Sequence, residues 1–269
     1  MKKFYLIGNN LENSLSPYIH NYIFKLLQIE AKYEIKKLHS KDQLYPLILD
    51  ISKGDIEGIN ITNPYKIEAL NYLDSCDKVA QKIGAINCIA REDSQSKGFN
   101  TDWYGFKRML GNRDINHAKI IGYGGAGKAV EYALLLLGVT NIQIYTRKKI
   151  NHYNNIIYKN INEIISNKNK KIQNSTFIIN ATPNHFINEM SLDNFSILLS
   201  EKLFWIDLLY TKLSTEKEKY LERKLYKNGL DMLIYQAFES IKIWFRKDIT
   251  KDVDFNDLKS YLEGLNNAI

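Results

Sequence analysis

The chain has 269 residues, 45% hydrophobic, 12% aromatic and 25% charged, with 37 Lys and Arg against 30 Asp and Glu for a formal charge of +7. A length roughly 1.8 times a 150-residue domain, with ordinary apolar content, excludes both a disordered chain and a small stapled module. Two cysteines, Cys76 and Cys88, exclude a disulfide framework and a four-cysteine zinc site and point to a reducing compartment, and no apolar run reaches the roughly 18 residues that span a bilayer.

β-Rich runs alternate with helix-period segments along the chain. Met1–Gly8 has too short an apolar run for a signal peptide and reads as a first strand centred on Phe4–Ile7. Tyr33–Leu38, Gly58–Thr62 and Ile86–Ala90 follow as strands, with helices expected near Ser16, Ser40 and Pro64. Such alternation predicts a largely parallel sheet covered on both faces. Gly98–Asp102 is turn-rich, leads into a helix near Tyr104 and is the hinge candidate. A second series of strands begins at Ala118 and continues through Asn141–Thr146, Thr176–Asn180 and Phe204–Asp207. The Asn- and Lys-rich stretch 151–174 reads as irregular or weakly helical surface, and Leu230–Phe245 as a helix burying Leu233, Ala237, Ile241 and Trp244.

The positive charge would suit an anionic ligand, but the lysines are scattered rather than gathered on a stripe, so no nucleic-acid partner is expected. Among the histidines, His20, His39, His117, His152 and His185 lack metal-ligand spacing, so no metal is expected; both cysteines read as core residues.

Gly122-Tyr-Gly124-Gly125-Ala126-Gly127 satisfies G-x-G-x-x-G between an apolar strand and a helix that stops at Gly138. Glycines there permit a tight turn and close backbone approach to a pyrophosphate, whose charge is favoured by the free N–H groups and dipole of the helix start. A purely structural turn is the alternative. The next strand ends in Thr146-Arg147-Lys148, where an NAD enzyme would carry an acidic ribose ligand. Cations at that point suit the 2′-phosphate of NADP; solvated surface charge is the plainer explanation.

Three further clusters stand at strand ends: Asn13-Ser14-Leu15-Ser16-Pro17, Asn60-Ile-Thr62-Asn63-Pro64-Tyr65-Lys66, and Asn87 followed by Asn100-Thr101-Asp102. Singly, each has a structural explanation, such as Ser16 capping a helix that begins with Pro17. Together, followed by Gly84-Ala-Ile-Asn87 within the series, the glycine loop, Asp207-Leu-Leu-Tyr210 and Gly229-Leu-Asp-Met-Leu-Ile-Tyr-Gln236, they resemble the shikimate dehydrogenase family over nearly the whole chain.

The resemblance implies a two-domain α/β enzyme: a substrate domain of residues 1–102 plus 231–269, and a Rossmann-like NADP domain of residues 103–230. It implies cytoplasmic, reversible NADPH-dependent reduction of 3-dehydroshikimate to shikimate in the chorismate pathway to aromatic amino acids. Lys66 and Asp102 would be catalytic. Ser14, Ser16 and Tyr210 would take the substrate carboxylate, and Thr62, Asn87 and Gln236 the ring hydroxyls or carboxylate edge. Gly122, Gly124, Gly125, Ala126 and Gly127 would hold the NADP pyrophosphate, Thr146, Arg147 and Lys148 the adenosine end, and Leu208 and Gly229 the nicotinamide. The expected assembly is a monomer or homodimer with a small-molecule substrate and no membrane partner. Departures from the family pattern fall at Asn10 and Asn13, where proline and histidine are usual, at Tyr123, where a small residue is usual, and at Thr146.

Overall fold

The computed structural model describes residues 1–147, 157–160, 176–184, 203–211 and 226–268. The chain divides into two units, Met1–Met109 with Asp231–Ile269, and Leu110–Leu230.

The first unit is built on a six-stranded sheet ordered β2-β1-β3-β5-β6-β4, with β1 Lys2–Gly8, β2 Ala31–Lys37, β3 Gly58–Ile61, β4 Ser75–Cys76, β5 Cys88–Glu92 and β6 Gln95–Phe99. β1 lies parallel to β2 and β3, and all four residues of β3 are buried, as expected of a strand covered on both faces. Beyond β3, parallel pairing recurs only between β4 and β6. β5 runs antiparallel to β3 and to β6, so the sheet is mixed rather than parallel throughout. The cause is a two-residue hairpin: Glu92 pairs with Gln95, leaving Asp93 and Ser94 at φ +49° and +62°, the left-handed conformations that a tight turn between twisted strands requires. The hinge candidate Gly98–Asp102 accordingly sits inside the first unit, with Gly98 and Phe99 in β6 and Asp102 opening a helix.

Helices flank this sheet. α1, Ser16–Leu26, carries Pro17 in its first turn, where a missing N–H costs nothing. α2, Leu44–Lys53, buries Leu44, Leu47, Ile48 and Ile51, a single helical stripe, and ends at Gly54 with φ +89°. α3 spans Lys78–Ile83 behind an Asp77 cap, and α4 spans Asp102–Leu110. No α-helix starts at Pro64. Turns and a short 3-10 segment, Glu68–Tyr72, occupy that stretch because tertiary bonds capture it: Ile86 N–H donates to the Lys66 carbonyl at 2.8 Å, and the Tyr65 hydroxyl to the Leu38 carbonyl at 3.3 Å.

The C-terminal helices α6, Leu230–Phe245, and α7, Phe255–Ala268, complete this unit apart from Leu230. Two close approaches fix α6. A Cβ on Gly58 would fall 2.2 Å from the Trp244 indole nitrogen, whose N–H donates to the Ile89 carbonyl at 3.0 Å; a Cβ on Gly105 would fall 2.5 Å from the Met232 carbonyl. Glycine in β3 and in α4 therefore lets α6 lie directly on the sheet and on α4, so α4 belongs with the first unit beyond residue 102.

The second unit is a parallel sheet ordered β12-β11-β10-β7-β8-β9, formed by β7 His117–Ile121, β8 Asn141–Thr146, β9 Ile157–Asn160, β10 Thr176–Asn180, β11 Leu203–Asp207 and β12 Tyr226–Lys227. Helix α5, Gly125–Leu136, joins β7 to β8. Read from β9, this is the 3-2-1-4-5-6 order of a dinucleotide-binding sheet, with its switch point between β7 and β10. Residues 157–160, expected to be irregular or weakly helical, form β9; the remainder of 151–174 lies outside the described residues.

Both cysteines are free and packed, Cys88 fully buried in β5, and burial raises both thiols, that of Cys76 to about 11. Neither is an activated nucleophile. His20 is also fully buried, stacked on Tyr33 at 4.1 Å, and neither ring nitrogen has a hydrogen-bond partner among the described residues. Burial pulls its pKa down to about 3, opposed only weakly by the Asn60 side chain. The unfolded chain binds this proton near pH 6.5 and the folded chain does not, so the stabilisation is complete above that value and is lost as pH falls from 6.5 towards 3, by up to about 1.4 kcal/mol per unit. His20→Leu is therefore expected to flatten the decline of urea midpoint between pH 6.5 and 4.5; parallel wild-type and variant profiles would contradict this.

Candidate active site

The first-unit clusters meet at one edge of the sheet. β1 and β3 end there, β5 begins there, and β6 returns there, so the loops after Gly8, Ile61 and Phe99 and the residue before Cys88 are neighbours by topology. A Cβ on Gly8 would lie 2.5 Å from the Thr62 methyl, so the β1 and β3 loops touch because residue 8 lacks a side chain. Asn9 N–H donates to the Asn63 carbonyl at 3.3 Å across the same contact. Ser14, half-buried, accepts from Ser16 N–H at 3.3 Å, and Ser16 is buried at the start of α1. The N-cap position is Leu15, so the capping explanation of Ser16 does not hold.

Lys66 and Asp102 meet as an ion pair, Nζ to Oδ2 2.6 Å, with side chains only 15% and 7% exposed. Their backbones are held from opposite sides. The Lys66 carbonyl takes the Ile86 N–H; Asn100 donates to the Ala85 carbonyl at 2.9 Å and accepts from Asp102 N–H at 3.0 Å. Asp102 is also the first residue of α4, where the helix dipole favours a carboxylate. Its second oxygen, Oδ1, accepts from the Asn87 amide at 2.9 Å. The pair is thus a buried charge couple whose carboxylate has further donors, the condition under which such a couple is tolerated.

Asn87 is the hub. Its Oδ1 accepts from the Thr101 N–H at 2.6 Å and lies 3.2 Å from the Thr101 hydroxyl; its amide nitrogen reaches Thr101 Oγ1 at 2.9 Å and Gln236 Oε1 at 3.3 Å besides Asp102. Behind it, Asn60 donates to the Asn87 carbonyl at 3.1 Å and to Ser240 Oγ at 3.0 Å, while accepting from the Tyr33 hydroxyl at 2.9 Å. Lys66, Asp102, Asn87 and Gln236 are therefore brought together, and Ser14, Ser16 and Thr62 share their sheet edge. Asn60, Thr101, Tyr33 and Ser240 are supporting residues to which sequence reasoning gave no role. A signal existed for two of them: a polar Asn inside the apolar strand Gly-Ile-Asn-Ile, and a Ser one helical turn beyond Gln236.

The remaining candidates lie in the second unit. Gly122 has φ +93°, and a Cβ on Gly127 would fall 2.3 Å from the Gly122 carbonyl, so both must be glycine for the strand to turn into α5. A Cβ on Gly124 would meet nothing within 4 Å, leaving open space beside the loop. With no side-chain cap and no acidic residue in its first turn, α5 presents its first N–H groups without internal competition for an anion. Such a loop fits a dinucleotide pyrophosphate, with Gly125 and Ala126 supplying the first helical N–H groups. Thr146 is buried at the end of β8 and Arg147 is exposed just beyond; Lys148 lies outside the described residues. At the neighbouring strand ends, buried Asn180 donates to Asp207 Oδ1 at 3.1 Å, and Asp207 accepts from Leu209 N–H at 3.0 Å, shaping the loop that carries Leu208 and Tyr210. Gly229 is forced as well, since a Cβ there would fall 2.0 Å from the Leu208 carbonyl.

A parallel sheet in dinucleotide-binding order, together with a unit bearing a buried lysine–carboxylate pair, defines an oxidoreductase of the two-domain dehydrogenase class. Residues 6–89 match the family model described as the shikimate dehydrogenase substrate binding domain. The shikimate dehydrogenase (NADP(+)) of Clostridium beijerinckii is 36% identical over 259 residues, 91% of this chain and 92% of that one. Among solved structures, shikimate dehydrogenase 1 of Peptoclostridium difficile has a TM-score of 0.79 at 30% identity, covering 100% of this chain and 98% of that one. A shikimate dehydrogenase in complex with NADP+ has a TM-score of 0.75 at 28% identity, covering 97% and 94%. The chain belongs to the shikimate dehydrogenase family.

Because Asn87 satisfies a buried N–H and a buried carboxylate at once, Asn87→Ala is expected to lower unfolding stability by about 2 to 4 kcal/mol in urea titrations. Asn87→Asp keeps the acceptor for Thr101 but sets a second carboxylate against Asp102. Its deficit relative to wild type should shrink as pH falls from 7 to 5, when protonation of one carboxyl relieves the repulsion; a deficit independent of pH would contradict the hub geometry.

Proposed function

We propose that this chain is an NADP-dependent shikimate dehydrogenase, catalysing reversible reduction of 3-dehydroshikimate to shikimate, and that Lys66 and Asp102 perform its proton transfer. The observation that carries this reading is the 2.6 Å Lys66–Asp102 pair, buried at the sheet edge where the Ser14, Thr62 and Asn87 clusters also end, in a chain of this family. Bound NADPH would supply the hydride to the C3 carbon. A ketone receiving hydride builds negative charge on its oxygen, which needs a proton from within hydrogen-bond reach. The Lys66 ammonium gives that proton, and Asp102, fixed by Asn87 and by the start of α4, aims the ammonium and balances its charge. In the oxidative direction the neutral Lys66 amine takes the C3 hydroxyl proton back.

Ser14 and Ser16 are assigned the substrate carboxylate, which hydroxyl donors hold without adding fixed charge. Thr62, Gln236 and the amide edge of Asn87 are assigned the ring hydroxyls. Polar partners of this kind discriminate strongly, because a substrate lacking the matching hydroxyl leaves them unpaired. For the cofactor, the Gly122–Gly127 loop and the uncapped α5 would receive the pyrophosphate, Thr146, Arg147 and Lys148 the 2′-phosphate end, and Leu208 and Gly229 the nicotinamide side. A cytoplasmic site of action accords with two cysteines kept as thiols.

Steady-state kinetics at 340 nm test the reading. Wild type is expected to prefer NADPH to NADH by about tenfold or more, the effect of one charge-assisted contact to a 2′-phosphate. Lys66→Ala is expected to lower kcat by about 10² to 10⁴ with a much smaller change in substrate KM, and Asp102→Asn to combine with it less than multiplicatively. Wild-type kcat in Lys66→Ala would remove Lys66 from the chemistry.

A further inference from the structure

Tyr123 stands in the glycine loop between two glycines, and its side chain is engaged along its whole length. Its hydroxyl donates to Glu131 Oε2 at 2.5 Å, one and a half turns further along α5. It also accepts from the Tyr158 hydroxyl of β9 at 3.4 Å, while the two rings meet edge to face with centroids 5.6 Å apart. Lys128, one turn before Glu131 on the same helix face, places its ammonium 5.7 Å from the Tyr123 ring centroid. A donor chain thus runs from Tyr158 through Tyr123 to a half-buried carboxylate, linking the loop to both α5 and β9.

The loop needs such a link. Its backbone is mostly glycine, which loses more conformational freedom on ordering than any other residue, so an unanchored loop would be ordered only at the expense of ligand affinity. Tyr123 is the single large side chain between Gly122 and Gly127, and its ring is held by α5 and β9 while the space beside Gly124 stays open. Burial raises the Glu131 carboxyl, and the Tyr123 hydroxyl and Lys128 oppose that rise, so removing the hydroxyl would leave a poorly solvated carboxyl without its donor.

We propose that Tyr123 is a positioning residue for cofactor binding: by donating its hydroxyl to Glu131 it fixes the glycine loop in its phosphate-receiving shape before the cofactor arrives. The inference rests on the dinucleotide role assigned to this loop above. The test compares Tyr123→Phe, Glu131→Gln and Glu131→Leu with wild type by calorimetric titration of NADPH and by hydrogen exchange of loop amides 122–127 in the cofactor-free protein. Tyr123→Phe and Glu131→Leu should weaken NADPH binding by about three- to tenfold, the size of a single hydrogen bond, and speed loop exchange, with the KM for 3-dehydroshikimate within about twofold of wild type. Glu131→Gln, which retains an acceptor oxygen, should bind like wild type. Unchanged NADPH affinity and exchange in Tyr123→Phe overturn the proposal. So does weakening in all three variants without faster exchange, which marks a general loss of stability. A wild-type chain that binds no nicotinamide dinucleotide overturns the loop's assignment together with it.

Discussion

Removing a lysine ammonium and an aspartate carboxylate from water is the most costly local act in the first unit, and much of its architecture follows from making it tolerable. Two ions so buried repay their desolvation only with short geometry and with partners for the remaining lone pairs. The 2.6 Å contact meets the first condition, and the Asn87 amide and the start of α4 meet the second. The demand then propagates. Asn87 can face Asp102 only if its own oxygen is bound by Thr101, and its backbone is held by Asn60, which in turn needs Tyr33 and Ser240. A polar thread from β2 to α6 therefore crosses an otherwise apolar interior. Ser240 and Gln236 lie one turn apart on α6, so the C-terminal helix must return to this sheet, and Gly58 and Gly105 supply the clearance for it.

In the second unit the governing constraint is close backbone approach. Gly127 and Gly229 each occupy a position where a single added carbon would strike a carbonyl oxygen, of residues 122 and 208 respectively, and at Gly122 it would meet the Thr182 methyl at 2.9 Å. These contacts draw the end of β7 to that of β10, and the end of β11 to that of β12. Buried Asn180 and Asp207 do for the β10 and β11 loops what Asn87 does in the first unit. In each unit, a few buried polar side chains set the shape of the loops at the strand ends.

The sequence made much of this legible because the informative signals were local. Parallel strands buried on both faces read as apolar runs, as in Gly58–Ile61, and the glycine loop was recognisable from its strand and helix neighbours. Motif order carried the family resemblance, which the 36% identity to a curated relative establishes. What escaped was tertiary. The β5–β6 hairpin depends on two non-glycine residues adopting positive φ, for which Asp93-Ser94 is a weak signal. The expected helix after Pro64 gave way to turns because distant strands take its hydrogen bonds. Asn60 and Ser240 each stand out locally, but that they bond to one another across 180 residues is written in no local pattern.

Deuteride tracing tests the central claim most directly. With 3-dehydroshikimate and NADPH deuterated at the transferring C4 position, proton NMR of the product should show shikimate whose C3 hydrogen signal is lost, with the deuterium there and at no other ring carbon. Product carrying ordinary hydrogen at C3, deuterium at another position, or no turnover by the wild-type chain would contradict hydride delivery to C3, the carbon whose oxygen the Lys66–Asp102 pair is proposed to protonate.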